Sequence, residues 1–233
     1  MRERERRYRS SRIDRTVELP RGIFGGNKSV KYGLLVVFLC VLVIEFYNTA
    51  QQKHLTGPID DIFRRDPDNL IIVYPTRGSD SGLLREYAHK VSALLGKKLK
   101  ADILVYPDSE IDEEILKNYS LILYGPAEQN LVSVELKEYF PFRFKDRGVY
   151  LGETYYDQKN WRLVFIVPNP YNEKHYVLVY TGPTAKDVVG INFIEHPNFT
   201  RHDKTDYVFA VGRKIVEQGF FEKKSDSRWV LAR

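Results

Sequence analysis

The 233-residue sequence contains a single cysteine, Cys40, so no intrachain disulfide can brace the fold and its stability must come from packing. Long apolar runs are scarce as well. Only Gly33–Ile44 is free of polar side chains over more than a strand's length, which excludes a multi-span membrane protein. No repeat of solenoid period occurs. An excess of one charge is also missing from most of the chain. Residues 1–31 hold ten basic and four acidic side chains; subtracted from totals of 36 and 31, this leaves 26 basic against 27 acidic over residues 32–233. The sequence pI near 9.1 is therefore a property of the tail. A body of nearly zero net charge lacks the electrostatic footprint of a nucleic-acid binder, which must neutralise many phosphates. With 43% apolar residues the chain has enough to bury one core, and disorder is excluded.

The apolar run extends from Tyr32 to Thr49, 18 residues with one charge, Glu45. As a helix it reaches roughly 27 Å, close to the hydrocarbon thickness of a bilayer. Glu45 sits near one end, where its carboxylate reaches the interface, and Tyr32, Phe46 and Tyr47 suit the interfaces. The ten basic residues that precede the run hold the N-terminus in the cytoplasm. Everything after Ala50 is then expected in the periplasm, the cell exterior or an organelle lumen. Two alternatives are a cleaved signal peptide, for which Asn48-Thr49-Ala50 is a poor match to small-residue cleavage sites, and a buried core helix. Arg6-Arg7 is a weak twin-arginine candidate. The sequons at Asn118 and Asn198 would be exported, and matter only in a eukaryotic host.

The expected organisation is a basic tail (1–31), a transmembrane helix (32–49), a polar stalk (50–69), an α/β domain (70–220) and a tail (221–233). Leu70–Tyr74 is an unbroken apolar run closed by Pro75, the pattern of a strand buried on both faces. A helix over 82–95 follows, with Leu84, Tyr87, Ala88, Val91, Leu94 and Leu95 on one face. Strands over 101–106 and 120–124 flank a short helix over 110–117 capped by Ser109, and a further helix is expected over 126–139. Crossovers of this length imply parallel strands. After Phe140 the pattern becomes a meander: a hairpin over 142–151 turning at Asp146-Arg147-Gly148, then strands over 161–167 and 176–180 that pair antiparallel. A helix over 183–191, a polar loop over 195–205, a strand over 207–211 and a short helix complete the domain. The expected fold is a three-layer, Rossmann-like α/β domain with a mixed sheet.

Ligands of open α/β sheets bind beyond the carboxyl ends of the parallel strands. Three segments fall there: Pro75–Gly82, with Thr76, Arg77, Ser79 and Ser81; Gly125–Asn130, with Gly125 and Asn130; and Thr181–Lys186, with Thr181, Gly182 and Lys186. Together they could cradle a phosphate or carboxylate, and the bland reading is that they are turns and caps. Neither the phosphate-loop lysine nor the dinucleotide glycine spacing is present. A flavodoxin-like flavin site is a minor option resting on composition alone, so no cofactor is expected. Gly78-Ser79-Asp80-Ser81-Gly82 resembles a nucleophile elbow but puts Asp80 in the central place. Ser81 with His196 or His202 as base, and Arg77 beside them, is the enzyme alternative. His196 and His202 lack helical spacing and any partner ligand, so no metal is expected. His54, His89 and His175 read as structural or exposed. Tyr74, Tyr106, Tyr124 and Tyr180 end strands, with rings in the sheet edge and hydroxyls toward water. Tyr155, Tyr156 and Trp161 are a candidate exposed aromatic patch.

Tyr119–Asn130, the hairpin after it, the paired strands ending at Gly182 and Asp206-Tyr207-Val208-Phe209 together resemble the Rossmann-like accessory module of secreted prolyl-oligopeptidase-type hydrolases, over residues 115–212. The resemblance implies an extracytoplasmic α/β module lying beside an enzyme. The catalytic serine motif of that family has no counterpart here, so hydrolase activity is not implied. The resulting expectation is a single-pass, N-in membrane protein whose non-catalytic domain binds an envelope protein or a small anionic or sugar ligand; a membrane-anchored hydrolase or transferase is the alternative.

Overall fold

Strand β1, Leu70–Tyr74, has its first four residues buried, as its unbroken apolar run requires. The computed structural model describes residues 62–65, 67–191, 205–225 and 228–232. The basic tail, the apolar segment 32–49, His54 and the loop carrying His196 and His202 lie outside the described residues. Among the described residues no helix is long and apolar enough to cross a membrane.

A short helix α1 (Ile62–Arg65) precedes β1. Then come α2 (Ser81–Leu99), β2 (Leu104–Pro107), α3 (Glu113–Asn118), β3 (Ser120–Tyr124) and α4 (Leu131–Leu136). The meander continues as β4 (Arg143–Lys145), β5 (Gly148–Leu151), β6 (Thr154–Tyr156), β7 (Trp161–Asn169) and β8 (Asn172–Thr181). The chain ends with α5 (Ala185–Val189), β9 (Tyr207–Val211), β10 (Lys214–Gly219), β11 (Phe221–Lys223) and β12 (Trp229–Leu231).

Seven strands form one mixed sheet in the order β10-β9-β7-β8-β3-β1-β2. Its core is parallel: β1 pairs with β2 on one side and β3 on the other, and β3 pairs with β8. The other half, β7 against β8 and β9, and β9 against β10, is antiparallel. The chain leaves β1 toward β2 and then returns to place β3 on the opposite flank, so a topological switch point lies between the carboxyl ends of β1 and β3.

Helix α2 covers one face through Leu84, Tyr87, Ala88, Val91 and Leu95, and the Tyr87 ring meets Tyr124 edge-on at 5.2 Å. Val164 pairs with Tyr180, so Phe165, one residue on, projects to the opposite face. There it packs against Phe140 at 5.0 Å and Phe142 at 5.1 Å, and Phe142 also meets Tyr207 and Phe221. This aromatic cluster joins the sheet to the β11–β12 hairpin. Asn169, wholly buried, fastens the β7–β8 turn below the sheet by donating to the carbonyls of Leu116 (2.6 Å) and Tyr119 (3.3 Å).

Several expectations from sequence need correction. The helix over 126–139 is only α4 plus a single 3-10 turn, Lys137–Tyr139, because Pro126–Asn130 forms a turn in which Asn130 caps the helix. Asp112, not Ser109, caps α3. The short helix expected after Val211 is strand β10: a left-handed glycine, Gly212, lets the chain reverse and pair with β9. Segment 221–233 contributes the β11–β12 hairpin, with Phe221 fully buried. Leu94 is 44% exposed instead of facing the core.

Candidate functional site

Because β1, β3 and β8 are parallel neighbours, their carboxyl ends bring the three sequence-selected segments to one edge. Contacts between the segments are direct. Gly125 donates its amide to the Tyr180 carbonyl at 3.2 Å, and a Cβ at Gly125 would stand 2.8 Å from Cγ of Pro75. The Gln129 side chain lies over Gly78, where a Cβ would meet Oε1 at 2.5 Å. At Gly182 a Cβ would come within 3.0 Å of the Trp161 carbonyl oxygen.

Two polar side chains of this edge, Asp108 and Asn130, are turned inward. Asp108, 2% exposed, accepts the amide and the hydroxyl of Thr76 on one carboxylate oxygen and the Leu131 amide on the other. Asn130, fully buried, accepts the Ser133 amide and donates to the Tyr124 carbonyl. Two of the amides at the start of α4, those of Leu131 and Ser133, are thus bound by side chains of this chain. Arg77 and Ser79 are exposed, Ser81 is half-buried, and Lys186 is exposed on the first turn of α5. Thr181 is fully buried and its hydroxyl has no hydrogen-bond partner among the described residues. Among the described residues no cluster of His, Cys, Asp or Glu is arranged to hold a metal ion.

The tyrosines divide. Tyr124 and Tyr180 are buried, with rings 4.9 Å apart, and do not carry hydroxyls into water as expected. Burial raises the Tyr124 phenol well above its ordinary range, the neighbouring Tyr180 and Tyr87 adding to the shift, and burial pushes Tyr87 to about 12. The expected exposed patch of Tyr155, Tyr156 and Trp161 is also corrected. Trp161 is 2% exposed and donates its indole N–H to the Arg147 carbonyl at 2.8 Å; Tyr156 packs on Phe209 at 4.7 Å. Only Tyr155 remains at the surface. His89 is exposed, and His175 is half-buried within β8.

A concave surface among the described residues lies elsewhere, on the aromatic face. A groove of about 960 Å³ runs between the α4 segment, strand β4 and the β12 strand. Phe140, Phe142 and Phe144 line it with Trp229 and the exposed Tyr139. Lys137, Arg143, Glu138 and Glu153 add charges of both signs around it. A smaller cleft of about 60 Å³ shares Ala127, Glu128 and Phe144 with the groove and reaches Trp161, Gly182 and Pro183. Gly182 is the one residue among the nine sequence candidates that lines either cleft. Phe142-Arg143-Phe144 was visible in sequence only as an alternating strand. Nothing there signalled that residues 228–230 would form the facing wall.

The groove lining combines apolar rings with charged and polar side chains. β4 is an end strand of its three-stranded sheet, and β12 an end strand of its hairpin, so each has a backbone edge that no strand among the described residues pairs with. No family model matches the chain, and no curated protein matches it.

Proposed function

We propose that this chain is a single-pass, N-in membrane protein whose α/β domain is a binding module, carried outside the cytoplasm and engaging another envelope protein through the groove beside β4. The observation that carries the binding role is the groove of about 960 Å³, lined by aromatic side chains and by charges of both signs. Such a lining suits a polypeptide segment better than a small anion, since the amides at the α4 N-terminus are engaged by Asp108 and Asn130. The anchoring role rests on the 18-residue apolar segment and the ten basic residues ahead of it. The resemblance of residues 115–212 to the accessory module of secreted prolyl-oligopeptidase-type hydrolases supports an enzyme as the neighbour that is bound.

The test is a photo-crosslinking residue placed at Val134, which is exposed and lines the groove, in the full-length protein in cells. The expected result is a discrete adduct with one membrane or envelope protein, lost when Phe144→Asp is added. Absence of any adduct that depends on Phe144 overturns the binding role. Recovery of the intact chain from the cytosol without detergent overturns the anchoring role.

A further inference from the structure

One exposed side of α2 carries lysines and an exposed leucine. Flanking its buried stripe, Lys90, Leu94, Lys97 and Lys98 fall at i, i+4, i+7 and i+8 and share one exposed side of the helix. Lys100 comes next, at the C-cap. None of these four lysines makes a hydrogen bond or ion pair through its side chain among the described residues. Leu94 is 44% exposed among them, and Leu104, at the start of β2, is 41% exposed. Two acidic residues, Glu86 and Asp102, stand near this stripe, so positive charge predominates.

Lys100 adopts φ 58°, ψ 37°, the left-handed conformation that C-caps usually assign to glycine or asparagine. A lysine there is conformationally costly, and it extends the row of charge by one position. The row ends at the edge of the sheet where β1 begins, because α2 returns the chain from the carboxyl end of β1 to Leu104, which pairs beside Ile71. Twelve residues, 50–61, separate the apolar segment from Ile62. Fully extended they cover at most roughly 43 Å.

We propose that the C-terminal half of α2, with Lys90, Lys97, Lys98, Lys100 and the exposed Leu94, docks on an anionic phospholipid surface. The inference rests on the membrane-anchored reading. Cationic side chains flanking exposed leucines match a bilayer interface: the lysines meet lipid phosphates and the leucines enter the boundary between headgroups and acyl chains. Several lysines acting together supply the attraction that one cannot, and the attraction weakens with salt.

The test uses the full-length protein with Cys40→Ser and a nitroxide on Ala93→Cys, an exposed position beside the stripe. It is reconstituted into phosphatidylcholine liposomes with or without phosphatidylglycerol. The expected result is a nitroxide that gains contact with lipid-dissolved oxygen only when phosphatidylglycerol is present, an effect reduced by raised salt. Replacing Lys97, Lys98 and Lys100 by Glu lowers the docked-to-free ratio by roughly a hundredfold or more. Equal signals in the two liposomes, in protein that floats with both, overturn the docking while leaving the anchor intact. So does an undiminished signal in the triple variant, or ordering of the label that arises only with added nucleic acid or acidic protein. Failure to float with plain phosphatidylcholine liposomes after alkaline extraction overturns the anchored reading itself.

Discussion

Asp108 Oδ1 accepts both the amide (2.9 Å) and the hydroxyl (2.7 Å) of Thr76, so the loop after β2 holds the loop after β1 in place. Its Oδ2 takes the Leu131 amide at 2.8 Å and ties the start of α4 to the same point. One buried carboxylate therefore ties together the loops after β1 and β2 and the start of α4. Asp108→Ala is expected to lower unfolding stability by ~2–4 kcal/mol, because it strands donors on two elements. Urea unfolding of the domain measures this. Thr76→Ala, which removes only the hydroxyl, is expected to cost ~1 kcal/mol, and equal effects of the two substitutions would contradict the clamp.

Asp206 is 1% exposed; one carboxylate oxygen accepts the Phe221 amide at 2.9 Å and the other is buried without a hydrogen-bond partner among the described residues. Burial raises its pKa from the ordinary 3.8 to about 7, the Phe221 hydrogen bond pulling weakly the other way. The unfolded chain loses this proton near pH 4 while the folded chain keeps it to near neutrality. Between those limits the folded state binds more protons, so stability falls as pH rises, by ~1.4 kcal/mol per pH unit from this group. Asp206→Asn is expected to flatten the stability profile between pH 4 and 7. Denaturant titrations at several pH values should find the variant more stable than the parent above neutrality and similar to it near pH 4.

Gly125 has φ +125°, and an added Cβ would stand 2.8 Å from the Pro75 ring. Gly125→Ala combines a backbone penalty with a steric one and is expected to cost ~2–4 kcal/mol. Gly152, also at positive φ but with open space where its Cβ would go, provides the control. Its Ala variant is expected to lose ~1 kcal/mol, the backbone share alone. Thermal unfolding of the pair separates the two contributions.

Phe142 touches Phe165, Tyr207 and Phe221 and is 2% exposed. Phe142→Ala is expected to cost ~3–5 kcal/mol and to loosen the β11–β12 hairpin. Amide exchange at Phe221–Lys223 should accelerate more than exchange in β1, which β8 and β3 separate from β7 in the sheet. Uniform acceleration across the sheet would show that the hairpin is not held by this residue.

The parallel half of the sheet was legible because its signals are local. β1 and β3 are continuous apolar runs, α2 carries a helical stripe, and proline or glycine closes each strand. The half after Val211 was not legible in the same way. β10 reads Lys214-Ile215-Val216-Glu217-Gln218-Gly219, without clean alternation, and its four leading residues are half-buried or exposed at a sheet edge, where pairing with β9 outweighs pattern. The site was less legible still. Thr76 and Asn130 were singled out as donors toward a ligand, and both engage this chain's own groups, since the partner of Thr76 lies 32 residues away at Asp108.

By itself the sequence determined the absence of disulfides, the confinement of excess positive charge to the first 31 residues, the one long apolar segment and the α/β character of the chain beyond residue 70. These are properties of composition and of neighbours within a few turns of chain. Tertiary structure alone decided the order of the seven strands, the tying of Thr76 and Leu131 to Asp108, and the groove whose walls come from residues 127–153 and 228–230. Such features depend on which distant surfaces pack together, and burial rewards any apolar partner of suitable shape. The pairing is therefore fixed only when the whole core is assembled.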